Sequence, residues 1–125
     1  MNKIVIAILF VLLGVFSCKE VNENVIDENT KLLKANAWDY PEVVFGDASL
    51  VNDFMDSPTE FKDNGTVNIG LHYNDNWEFT NESTIKFIRA SINWQLITLN
   101  DSILHVNMVN SSNGLFLVEC TYKSL

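Results

Sequence analysis

Two cysteines, two histidines and sixteen carboxylates bound the chemistry open to this 125-residue chain. Cys120 sits in the run Leu115–Lys123, LFLVECTYK, in phase with Phe116, Val118 and Tyr122. A thiol at that period belongs to the buried face of a strand, where desolvation suppresses the thiolate that nucleophilic or metal chemistry needs. His72 and His105 fall in different strand-like runs, on faces that otherwise carry Asn and Thr, and both are expected to face solvent. A metal centre needs several ligands converging at defined geometry, and no Cys/His/Asp cluster is spaced to supply them. Asp75 and Glu78 form an acidic pair, but Glu78 faces outward if Trp77 faces in, so solvated loop carboxylates are expected rather than a general acid and base. No serine stands in a nucleophile elbow, and no glycine-rich loop could cradle a phosphate. The residues point to a noncatalytic protein without a cofactor.

Cys18 has a different setting. Lys3 supplies a positive start, and Ile4 to Phe16 form an uncharged apolar run that ends at Ser17-Cys18, with polar KEVNENVIDENT directly behind. A spanning helix needs roughly twenty apolar residues; this run is shorter and fits the apolar region of a secretory signal peptide. Without residues 1–17 the chain keeps seven Lys/Arg, the eight less Lys3, against sixteen Asp/Glu, a formal charge of −9. Nucleic-acid binding relies on clustered Lys and Arg, so that class is excluded. An anionic membrane surface would also repel the chain; the charge is compatible with a basic protein partner or a cationic ligand, or serves solubility alone.

The elements that would position any site are short and evenly punctuated. Residues 18–29 carry no apolar period and read as a flexible tether. Thr30 or Asn29 could cap a short helix over Lys31–Ala35, and residues 47–57 are irregular with room for one helical turn. Asp63-Asn64-Gly65 is a strong hairpin signal. Further turns are expected at Asn81–Ser83, Ala90-Ser91, Asn100–Ser102 and Asn110–Gly114. Between them lie eight short runs, from AWDYPEVVF to LFLVECTYK, with TVNIGLHY and NWEFT taken as separate strands. Val67, Ile69, Leu71 and Tyr73 alternate onto one face, as do Leu104, Val106 and Met108. Ile92, Trp94 and Leu96 start in phase, whereas Ile97 and Leu99 follow on the other face, which predicts either a bulge or a strand covered on both sides. Eight antiparallel strands can bury one face by closing into an up-and-down barrel, here an all-β fold over residues 30–125 with a short N-terminal helix. A two-sheet sandwich is the alternative.

Three resemblances sharpen this reading. Val15-Phe16-Ser17-Cys18 resembles the lipobox of bacterial lipoproteins, which implies that 1–17 is a lipoprotein signal peptide and that Cys18 becomes an acylated (palmitate-bearing) first residue. Several acyl chains give stable anchoring, and the Ser-Cys-Lys-Glu junction is similar to those of Bacteroidota-type lipoproteins, implying a cell-envelope location at the outer membrane, on its periplasmic or surface face. Leu32-Leu33, Trp38, Phe61-Lys62-Asp63-Asn64-Gly65-Thr66 and Trp77, in that order, resemble the small lipocalin-like domains of such lipoproteins. Asn36-Ala37-Trp38 departs from the family's glycine-x-tryptophan pattern. That resemblance implies a barrel whose interior holds either a small apolar molecule or lipid, or its own side chains. The candidate interior or ligand-lining residues are Trp38, Phe61, Trp77, Phe79, Phe87, Trp94, Met108, Phe116 and Tyr122. Asp101-Ser102-Ile103 resembles an O-glycosylation acceptor, with Ser102 the modified residue. The competing function is a protein-binding module, an inhibitor, immunity protein or accessory subunit, acting through its acidic surface and loops on a basic envelope protein. That function predicts an exposed apolar or acidic patch near residues 40–57.

Overall fold

The computed structural model describes residues 22–125, so Cys18 and the apolar run before it lie outside the described residues. A helix, α1 (Glu23–Ala35), precedes an antiparallel sheet of eight strands: β1 (Glu42–Gly46), β2 (Thr59–Phe61), β3 (Thr66–Ile69), β4 (Tyr73–Asn81), β5 (Thr84–Phe87), β6 (Ile92–Leu99), β7 (Ile103–Asn110) and β8 (Phe116–Lys123). A short 3-10 helix, Ala48–Phe54, joins β1 to β2.

The helix begins earlier than its sequence pattern suggests, so residues 23–29 are helical where a tether is expected. Asn22 is its cap, accepting the amides of Asn24 at 3.1 Å and Val25 at 3.3 Å. Glu23 in the first turn and Lys34 in the last suit the helix dipole. Its inward stripe is Ile26, Asn29, Thr30 and Leu33, of which only Leu33 is fully buried. Two polar residues in the middle of that stripe hide the helical period.

From β2 to β8 the strands form a consecutive meander, and β1 adds on beyond β8. The sheet curls into a half-barrel. No β1–β2 ladder closes it among the described residues; Trp38 joins the two margins instead, through bridges to Thr59 and to Ser124. Its amide donates to Thr59 O at 2.9 Å and its carbonyl accepts from Thr59 N at 2.8 Å. The ladder goes no further because β2 has only three residues and because Pro41, just before β1, has no N–H to give.

Two departures from strict alternation matter. The turn between β3 and β4 falls at Gly70–His72, with Gly70 at φ +62, and not at Asn74-Asp75 between the runs TVNIGLHY and NWEFT. Leu71 is consequently 91% exposed rather than interior, while β4 runs unbroken through Tyr73–Asn81. In β8 the register slips at Leu117, because Met108 pairs with Val118 but Val109 pairs with Phe116. One skipped residue reverses every side chain beyond it, and Phe116 turns outward. The slip in β6 does occur at Ile97, between Leu96 and Thr98, as its apolar pattern predicts.

The core runs the length of the half-barrel. The hairpin turns after β2, β4 and β6 gather at one end, and α1 crosses it. Asn22 N donates to Glu82 Oε1, Asn29 Nδ2 to Glu82 O and Asn36 Nδ2 to Asp101 O, while Lys34 pairs with Asp63 at 2.7 Å. The 3-10 helix lies at the other end, beside Ala90 of the β5–β6 turn and Ile92 at the start of β6. It sends Val51 and Phe54 into the core.

Candidate functional site

The aromatic residues expected inside largely meet there. Trp38, Phe87, Trp94, Met108 and Tyr122 are fully buried, Phe61 and Trp77 nearly so, and Phe79 packs half-buried against Trp77 at 6.1 Å between ring centres. Phe116 is the exception, 43% exposed and resting on Phe45 at 5.9 Å, for the register reason above. Trp94 is the hub. Its ring lies 4.7 Å from Phe87, 5.2 Å from Tyr122 in a stacked arrangement, 5.6 Å from Phe54 and 6.0 Å from Phe61. Centroid distances of this size mark rings in van der Waals contact.

Phe54 is the residue that sequence reasoning left out of the interior. Its ring sits 5.0 Å from Phe87 and 5.9 Å from Tyr73, and its carbonyl accepts the Tyr122 hydroxyl at 3.2 Å. The 3-10 helix thus inserts an aromatic plug into the end opposite α1. The spacing of Val51 and Phe54 carries the signal, though nothing local indicates that this irregular stretch turns inward. Two buried polar atoms in this core have no hydrogen-bond partner, Trp94 Nε1 and Thr59 Oγ1. Trp38 Nε1, in contrast, donates to Leu33 O at 3.1 Å, which fixes α1 against the base of the sheet.

A second cluster surrounds Asp75, which is 5% exposed and lies within β4 rather than in a solvated loop. Its carboxylate accepts the amides of Arg89 at 2.6 Å, Ala90 at 2.9 Å and Asn76 at 2.7 Å, together with the Tyr73 hydroxyl at 2.7 Å. Burial, followed by the bond to Asp75 and its charge, holds the Tyr73 phenol far above the usual tyrosine range. The Arg89 guanidinium lies 5.2 Å from the centre of the Tyr73 ring and donates to Asn74 O. Every oxygen lone pair of Asp75 is directed at the β5–β6 turn or its own strand. This carboxylate is a structural clasp, with no free valence to serve as a base.

The histidines separate. His72 is in the β3–β4 turn, exposed, whereas His105 on β7 is half-buried and lies 2.6 Å from Glu119 Oε2 on β8. Among the described residues no group of three or more His, Cys, Asp or Glu could hold a metal ion, and no helix is long and apolar enough to cross a membrane. Cys120 is buried and free, and burial pushes its thiol up to about 11, with Glu119 adding to the shift. Ser102 is exposed in the β6–β7 turn, where Asn100 Oδ1 accepts its amide.

The outer surface carries the remaining distinctive feature. Val43, Val44 and Phe45 on β1 are 40%, 55% and 68% exposed, and Leu115 beside Phe116 is 63% exposed. Phe45 and Phe116 touch on the outer face, where Phe45 pairs with Glu119. The chain matches no family model, no curated protein and no solved structure.

Proposed function

We propose that this protein is a noncatalytic, lipid-anchored binding protein of the bacterial cell envelope, built on a lipocalin-like barrel domain and acting on a protein partner through its outer surface. Cys18 is the acylated anchor and the outer membrane the site of attachment, on its periplasmic or surface face. The observation that supports an outer binding surface is the filled interior: Phe54, Phe61, Phe87, Trp94 and Tyr122 pack ring against ring where a ligand would lie. Small-molecule sites are ordinarily preformed hollows of several hundred Å3. The exposed apolar strand near residue 44 is the matching positive sign. The acidic composition suits a basic partner through electrostatic complementarity. Ser102, exposed at a turn, keeps the steric access that O-glycosylation requires.

A second reading, a small apolar ligand or lipid bound within the barrel, draws support from Trp94 Nε1, a buried donor awaiting an acceptor. The two readings separate on titration of the full chain with a fluorescent polyene fatty acid, following tryptophan emission. Outer-surface binding predicts no saturable quenching at equimolar probe. Stoichiometric quenching that is lost in Trp94→Phe would overturn it in favour of the interior site.

A further inference from the structure

All five residues of β1 are exposed, and the strand ends the sheet, with β8 on one side and no paired strand on the other among the described residues. Natural edge strands are commonly blunted by lysine or by inward charge. This one offers Val43-Val44-Phe45, extended sideways by Phe116 and Leu115. Its borders are Asp39, Glu42, Asp47 and Glu119, and neither 39–47 nor 115–119 contains a Lys or Arg.

The patch also has a definite place relative to the anchor. The described chain starts at Asn22, held to Glu82 at the α1 end. Three residues lie between Cys18 and Asn22, four steps with a reach of at most about 14 Å, so acylation of Cys18 keeps the α1 end close to the bilayer. Leu115 and Phe116 lie at the start of β8, its far end, and Phe45 and Gly46 pair with Glu119 and Val118 midway along it, about 13–17 Å from the end at Lys123. Antiparallel addition of a second copy's β1 would direct the two α1 ends in opposite directions, and both could not reach one membrane. The edge therefore suits a different protein.

We infer that β1 accepts an extended segment of a separate basic protein as a ninth strand, on the side of the domain away from the membrane. The inference rests on the anchored-binder reading above. Backbone pairing along 42–46 supplies the strand-to-strand bond, apolar side chains of the partner cover Phe45 and Phe116 on the outer face, and its Lys or Arg residues meet the acidic border. The register slip between Val43 and Phe45 limits regular pairing to a short stretch, which favours one short strand over open-ended sheet stacking.

The test uses the full mature chain in detergent micelles and an eight-residue peptide of alternating lysine and valine. Hydrogen exchange of residues 42–46 is expected to slow about threefold or more at saturating peptide. Phe45→Asp should weaken binding about tenfold, while Leu71→Asp, at an exposed turn elsewhere, leaves it unchanged. Raising salt from about 0.05 to about 0.5 M should weaken binding severalfold. Failure of the peptide to bind or to protect 42–46 overturns the inference. Binding that responds to Phe45→Asp without amide protection also overturns it, although outer-surface binding then stands. A dimer of the chain that Phe45→Asp dissolves would assign the edge to a second copy and overturn it as well.

Discussion

Removing the Asp75 carboxylate should destabilise the domain more than any other change to a charged group described above. In Asp75→Ala the Arg89 and Ala90 amides and the Tyr73 hydroxyl lose their acceptor at a site that is 5% exposed. An orphaned buried donor costs about 1–3 kcal/mol. Three such donors, partly rescued by water entering the space left behind, give about 3–4 kcal/mol in all. For a domain of this size that corresponds to a fall in melting temperature of about 15 °C. Asp75→Asn keeps one acceptor oxygen and should lose about 1–2 kcal/mol. Urea titration followed by tryptophan emission measures both variants, with an unchanged denaturant slope expected, and hydrogen exchange should accelerate locally at 88–91. An Asp75→Ala variant within about 0.5 kcal/mol of the parent would refute the reasoning, because it would mean that the clasp from β4 to the β5–β6 turn contributes nothing net.

The two phenylalanines at the ends of the 3-10 helix and of β8 should behave oppositely. Phe54→Ala empties the centre of the ring cluster and should cost about 3–5 kcal/mol, whereas Phe116→Ala on the outer face should cost under about 1 kcal/mol; equal costs in chemical denaturation would contradict their placement. Cys120 makes stability fall in alkali. Its folded thiol titrates near 11 and an unfolded one at about 8.5–9, so the term is fully present below the unfolded value and is lost as pH rises through the folded one. Urea midpoints measured across that window should decline less steeply in Cys120→Ala, and parallel declines would remove the thiol from the account. The native thiol should also resist an aromatic disulfide reagent until the chain unfolds.

Most of the strands were legible because their turns carry asparagine, aspartate and glycine at the required positions, and because Val67, Ile69, Leu104, Val106 and Met108 alternate cleanly. The illegible parts share a physical cause, in that each depends on a partner distant in the chain. Asn74-Asp75 has the composition of a turn, yet two amides from the β5–β6 turn reward Asp75 for staying buried in a strand. Gly70 and His72 flank the actual reversal, and only the positive φ of Gly70 marks it. Phe116 obeys the period of its own strand, but its face is decided by the pairing of Val109 across the slip. The first turns of α1 are polar because they contact the Glu82 carboxylate and carbonyl rather than core. As for the candidate site, a patch near residues 40–57 was foreseeable from irregularity and composition. Its continuation through Leu115 and Phe116 depended on the β1–β8 pairing and the β8 slip together.

The central claim, that this barrel works through its outside, is tested most directly by native mass spectrometry of the mature chain extracted with mild detergent from its own membranes. The account predicts the mass of the chain from Cys18 with its acyl groups, free or in complex with a second, basic polypeptide. A species carrying one small molecule per chain, released only on unfolding, would contradict it.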